Sequence, residues 1–343
     1  MTMAAAARNA AETPKSAATP VAAFGEIHTC VLPSSNVLDN SAVLELLGTV
    51  KPGSAMTSRE RPVPLVISPN RVEGIDCDLT QSSGKVVHAI GTVLTRVVVV
   101  GGRILQSSAQ TRVAPAAERT RQPWSHYMGR PGIIEAVTKL GADAGTRLTD
   151  GFLRTDNPDR PDPAVANSRL DLAAIGWRLL KLIRVDDRLD QQVRLRAATT
   201  RLRWAVEVAA EPEQRPRFGF RLDNETLRSV RLIVAEEDIA AAQRFCEDLA
   251  VHDWLLTTIG QVADRFDPAN HEAATLLAPV LEQLVPLWMP GAHTPPRLRE
   301  AWTDLESDPG FTRQWTARVG QLRDRIATAT LEALRNSRIS NDW

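Results

Sequence analysis

The chain has 343 residues, of which 43% are hydrophobic, 24% charged and 5% aromatic, enough apolar material for a sizeable core. Those figures exclude a collagen, a coiled-coil rod, a disulfide miniprotein and a wholly disordered chain. The 41 basic and 41 acidic residues cancel overall, but 17 acidic and 10 basic residues lie from Glu236 onward, a net of −7 that the preceding 235 residues balance at +7. Such halves can attract each other or meet different partners.

Residues 1–20 are rich in Ala, Thr and Pro and lack a Leu-rich run behind a basic start. They read as a disordered tail rather than a signal peptide. No segment approaches the roughly 18 apolar residues of a membrane helix. Cys30, Cys77 and Cys246 are too few and too scattered for a disulfide framework, so a reducing, cytoplasmic setting is expected.

Residues 24–32 form a predicted strand and residues 39–47 a short helix with Val43, Leu44, Leu46 and Leu47. Pro52, Gly53, Pro62, Pro64 and Pro69 then leave room only for short or edge strands. Residues 85–100 and 103–113 read as a hairpin around Gly101-Gly102, a primed turn that needs positive φ. A two-residue loop would set Val98 opposite Leu105 and Val99 opposite Ile104. Both faces near the turn are apolar, so the hairpin needs cover on both sides.

Residues 115–131 read as loop and residues 133–152 as a weak helix. Residues 154–163, rich in Pro and Asp, are the best linker. Residues 170–189 carry Leu172, Ile175, Leu179, Leu182 and Ile183 at helical spacing, with Trp177 alongside. Three alternating segments follow: Leu202, Trp204, Val206 and Val208; Phe218, Phe220 and Leu222; Val230, Leu232 and Val234. They predict a three-stranded antiparallel meander with one buried face. Residues 236–266, 271–287 and 311–335 are predicted helices. The class is therefore α+β: a β-rich N-terminal part, the meander, and a helical C-terminal part. The expected division is a tail at 1–20, a β-rich domain at 21–118, a connector of loop and weak helix at 119–169, and an α+β domain at 170–343.

No phosphate loop survives inspection. Ser82-Ser83-Gly84-Lys85 lacks the earlier Gly and is followed by Val86. For a metal, Glu26, His28 and Cys30 share one face of a strand and Cys77 could supply a fourth ligand. Same-face residues stand roughly 6.5–7 Å apart along a strand, wide for one ion. Asp248 and His252 lie one helical turn apart, as a carboxylate-oriented base would, beside Glu247 and Asp253. His28 and His126 are the other catalytic candidates. Trp124-Ser125-His126-Tyr127 reads as an aromatic anchor pinning a loop, because Ser and His adjacent in sequence do not make a nucleophile and its base. Arg201 and Arg203, with Arg217 and Arg221, point away from the buried face of their strands and make one outer face basic. Such a face could dock acidic helices or nucleic acid, although the aromatic residues that would stack bases lie on the other side.

The strings Phe24-Gly25-Glu26-Ile27-His28-Thr29, Ser68-Pro69-Asn70-Arg71, Gly101-Gly102-Arg103, Pro123-Trp124-Ser125-His126-Tyr127 and Cys246-Glu247-Asp248-Leu249 through His252-Asp253-Trp254 resemble an uncharacterised actinobacterial family. Its members are encoded beside a variant P-loop protein and a SAM-dependent methyltransferase. The resemblance covers roughly residues 21–265, assigns no chemistry to any residue, and implies one component of a multi-gene bacterial system.

The expectation is a non-catalytic accessory or scaffold protein that works through contacts with other proteins of that neighbourhood, needs no cofactor and touches no membrane. Trp124 and Tyr127 with the four arginines Arg201, Arg203, Arg217 and Arg221 are the candidate contacts, Trp and Arg being common interface anchors. The alternatives are an enzyme of unknown reaction, with or without a metal, and a nucleic-acid binder using the Arg-rich face. No small-molecule substrate is identified by any motif.

Overall fold

The computed structural model describes residues 19–154, 168–192, 195, 197–209, 216–265 and 281–341. Strand β1 (Ala22–Val31) organises them. It pairs antiparallel with β6 (Ile104–Pro115) on one side and with β8 (Thr200–Val208) on the other, and every one of its residues is buried. Ala22, Phe24 and Cys30 pack under one helical cover, Ala23 and Ile27 under the other. This is an α+β fold with a ten-stranded mixed sheet between helices.

Beyond β6 the sheet continues through β5 (Val86–Val100), which pairs with β3 (Leu65–Ile67) and β4 (Arg71–Thr80) along its far edge, and β2 (Thr57–Arg59) extends β3. The predicted primed turn forms, with Gly101 and Gly102 at φ 58° and 60°. The register differs by one residue from the expected one: Val100 pairs with Ile104 and Val99 with Leu105. Arg103 is an extra, bulged residue, buried and donating to the Ser34 carbonyl at 2.6 Å. A one-residue slip exchanges faces, and Ile104 consequently joins Val98 and Val100 rather than Val97 and Val99.

Residues 133–152 are not one weak helix. Ile133–Ala136 form β7, wedged between the diverging ends of β5 and β6, antiparallel to the first and parallel to the second. Gly91 admits it: a Cβ there would stand 2.1 Å from the Ile133 carbonyl oxygen. Helix α3 (Ala144–Leu153) follows, after the short α2 (Trp124–Met128) earlier in the chain.

The antiparallel meander is also corrected. β10 (Leu227–Val234) lies between β8 and β9 (Arg217–Leu222), parallel to β8 and antiparallel to β9. Period-two alternation reports which face is buried and says nothing of which strand is the neighbour. Only the β9–β10 hairpin is local, its turn held by the Asn224 side chain, which accepts from the backbone N–H of Thr226 and Leu227. Because β1 and β8 are neighbours, segments 21–118 and 170–343 share this sheet, and 119–169 adds β7 and α3 to it.

One cover is α1 (Asn40–Gly48), α3 and α4 (Leu172–Arg184). Asp39 and Asp171 cap α1 and α4, accepting the N–H of Ala42 and Ala174. On α4, Leu172, Ile175, Leu179 and Ile183 are buried as spaced, whereas Leu182 and Trp177 face outward. The other cover is α5 (Ile239–Arg265) with α6 (Arg299–Ser307), which no sequence signal marked, and α7 (Phe311–Asn341). Most of the predicted tail at 1–20, most of the linker at 154–163 and the first part of the 271–287 helix lie outside the described residues. Among the described residues no helix is long and apolar enough to cross a membrane.

Candidate functional site

On the α3/α4 side Glu26, His28 and Cys30 do share a face, but Glu26 is paired with arginines, Cys30 is packed among apolar residues, and His28 Nδ1 is buried without a hydrogen-bond partner. Burial pushes the Glu26 carboxyl up, and Arg203 and Arg201 beside it more than offset this and hold it below its usual value. Arg201 Nε donates to Glu26 Oε1 at 2.8 Å, and Arg203 Nε lies 3.5 Å from Oε2. Burial lowers the pKa of His28 to about 4, with Arg201 pushing the same way. Its Nδ1 lies against Gly176, where a Cβ would sit 3.2 Å away. Cys30 packs with Leu46 and Leu179 while Cys77 packs with Phe24 and Val87, in different clusters. Burial pushes both thiols up to about 12. The four proposed metal ligands are therefore not brought together, and among the described residues no group of three His, Cys, Asp or Glu could hold an ion.

His126 Nε2 lies 3.0 Å from Glu135 Oε1, a carboxylate that also pairs with Arg130. Tyr127 is buried and its hydroxyl accepts from the Gln122 N–H at 3.0 Å, which is the anchoring geometry, while Trp124 is 42% exposed. Arg201, Arg203, Arg217 and Arg221 lie on the sheet face away from Trp204, but that face is not the open outer one expected: Arg203 is buried against Phe152 and Arg201 half-buried, leaving Arg217 and Arg221 exposed. That face carries its own counter-charges: Glu26 for the first two, Asp223 for Arg221, and Asp150 with Glu207 for Arg231.

The other side of the sheet holds a narrow cleft that opens to solvent, with about 40 Å³ of room inside. Its walls are Leu65 and Ile67 from β3, Val98 and Val100 from β5, Val251 from α5, and Leu287 and Met289 from the segment after it. Polar groups enter from α5 (Glu247, Asp248, His252), from β6 (Gln106) and from His293, with Arg59 and Arg244 exposed among the lining residues.

Asp248 and His252 meet as the helical spacing predicted, but His252 is committed. The Met289 N–H donates to Nε2 at 3.1 Å, so that nitrogen is unprotonated, and Nδ1–H donates to the Asp248 carbonyl at 2.7 Å. Burial lowers its pKa, and the ring stands edge-on between Trp288 and Trp302. This is a neutral structural histidine with no nitrogen left for a base's work.

Asp248 is different. Trp302 Nε1–H donates to Thr294 Oγ1 at 2.8 Å and the Thr294 hydroxyl donates to Asp248 Oδ2 at 2.7 Å, which leaves Oδ1 buried and unpartnered. The Oε1 of Gln106 is likewise unpartnered. Its orientation follows from Nε2, which donates to the Glu247 carbonyl at 3.0 Å. Both ring nitrogens of His293 are buried without a partner. Burial lowers the His293 pKa, with His252 and Arg59 acting in the same sense against the pull of Asp248.

Among the described residues six acidic side chains are buried: Glu26, Glu135, Asp238, Glu247, Asp248 and Asp253. Five hold an arginine: Glu26 with Arg201, Glu135 with Arg130, Asp238 with Arg297, Glu247 with Arg96 and Asp253 with Arg228. Asp248, 3% exposed, has no arginine; its ion-pair distance is to the neutral His252, at 3.4 Å. Buried charge is ordinarily paired, because taking an ion out of water without a partner costs several kcal/mol, on the order of the whole stability of a domain. The geometry therefore supplies a recess with apolar walls, two acceptors and a neutral imidazole awaiting partners, and positive charge outside.

Sequence reasoning found Asp248 and missed Gln106, His293, Arg59 and Arg244. Nothing local marks them, since each arrives from a different element. No protein-family model, no curated protein and no solved structure matches this chain.

Proposed function

We propose that the protein is an accessory protein that binds a small molecule in the cleft between β3, β5 and α5, without catalysing a reaction on it. The observation that carries this reading is Asp248, a buried acid with no arginine and one free oxygen, in a recess where Gln106 and His293 also have unmet hydrogen-bonding capacity. The commitment of both His252 nitrogens removes the acid–base pair that a catalytic reading would use.

Hexanol is a suitable neutral probe. In methyl NMR of the full chain it should perturb Val98, Val251 and Leu287, and Ala292→Phe, which narrows the cleft at its lining, should abolish the effect. No perturbation at those methyls in the parent protein would overturn the reading.

A protein-contact role is the second reading, and the outer face of α4 favours it. Trp177, Leu182 and Val185 are 43%, 46% and 62% exposed and are interleaved with Arg178, Lys181 and Arg184. An apolar stripe edged with positive charge suits an acidic partner protein from the implied multi-gene system. Co-purification with the product of a neighbouring gene, lost in Trp177→Asp, would support it. Co-purification unchanged by that substitution would remove α4 from the interface.

A further inference from the structure

The chemistry of the recess specifies its occupant further than binding alone, and this step rests on the reading of the cleft as a ligand site. Of the polar groups that line it, Asp248 Oδ1 and Gln106 Oε1 are acceptors only, and both are buried and unpartnered. Glu247 is neutralised by Arg96, and His252 and His293 are held neutral by burial, so the Asp248 carboxylate is the uncompensated charge there. The remaining charges are Arg59 and Arg244, whose exposure to water screens them over roughly 8–10 Å at ordinary ionic strength. The rest of the lining is mainly aliphatic.

We propose that the cleft takes a slender aliphatic primary amine, ammonium end first, with the ammonium donating to Asp248 Oδ1 and Gln106 Oε1 and the chain lying along Leu65, Val98, Val251 and Leu287. The ammonium supplies the positive charge that an arginine supplies to each of the other five buried acids. Its three donors meet two waiting acceptors and leave one for the His293 ring. Aliphatic carboxylates are disfavoured, because a second carboxylate beside Asp248 would be repelled.

The test is calorimetric titration of the full chain with hexylamine, hexanol and hexanoate. Hexylamine should bind most tightly. Asp248→Asn should weaken hexylamine by about tenfold or more, the size of one charge-assisted hydrogen bond, while changing hexanol little. Ala292→Phe should abolish binding of every probe that occupies the cleft. If hexanol or hexanoate binds as tightly as hexylamine and Ala292→Phe abolishes it, the ligand site stands and the amine assignment falls. If hexylamine binds equally well to Asp248→Asn, the assignment also falls. If no probe shows binding that Ala292→Phe removes, the ligand-site reading falls with it.

Discussion

Glu26 and Asp248 are both buried acids, one beneath each helical cover of the same sheet, and they are provided for differently. Under α3 and α4, Glu26 faces Arg201 and Arg203 from the neighbouring strand β8, and their charge outweighs the desolvation. Under α5, Asp248 has a threonine hydroxyl, a neutral histidine and one empty oxygen. Depth of burial therefore does not tell the two acids apart. The presence or absence of a counter-ion does, because a partnered ion is stabilised within the folded framework while an unpartnered one is a standing cost.

The comparison is most sharply tested by Glu26→Gln. It leaves two guanidinium groups at the sheet without their carboxylate, and loss of one member of such a buried cluster should cost about 3–5 kcal/mol in urea denaturation. A loss near zero would mean that Glu26 is no better provided for than Asp248.

His28 gives the next largest effect, and it depends on pH. Its folded pKa of about 4 lies below the ordinary value of 6.5. Above pH 6.5 the ring is neutral in both states and contributes nothing to the pH dependence. As pH falls from 6.5 towards 4 the unfolded chain takes up the proton first, so stability declines, by up to about 3 kcal/mol, and then levels off. His252 is shifted in the same direction and adds to the decline. His28→Gln should flatten this acid limb while leaving stability above pH 7 dependent on pH as before. A limb of unchanged slope would place His28 in water.

The smallest expected effect is the most informative. Asp248→Asn keeps an acceptor for the Thr294 hydroxyl and removes a buried charge that no arginine balances, so stability should fall by less than about 1 kcal/mol, or rise. Glu247→Gln, one residue earlier on α5, strands Arg96 and should cost more, about 1.5–3 kcal/mol. Equal losses in thermal unfolding would remove the distinction between the two acids and the argument for a ligand with it.

The legible parts of this fold are those carried by local periodicity. Alternation placed Glu26 and His28 on one face of β1, and Trp204 opposite Arg203 on β8. Helical spacing brought Asp248 beside His252, and Gly101-Gly102 announced the primed turn. The errors share a cause. The same alternation fits β8, β9 and β10 in any order, so the insertion of β10 left no mark. Ile133-Ile134 reads as helix or strand until the fork between β5 and β6 receives it. The bulge at Arg103 depends on the Ser34 carbonyl 69 residues away.

The sequence by itself determined which side chains share a face, because the chain's own geometry sets that within a few residues. Only the tertiary structure decided which acids acquire an arginine, since Arg96 reaches Glu247 across 151 residues and nothing comparable reaches Asp248. Counter-ions are matched in space after the sheet has closed, so the candidate site, defined by a missing one, came into view only in the folded molecule.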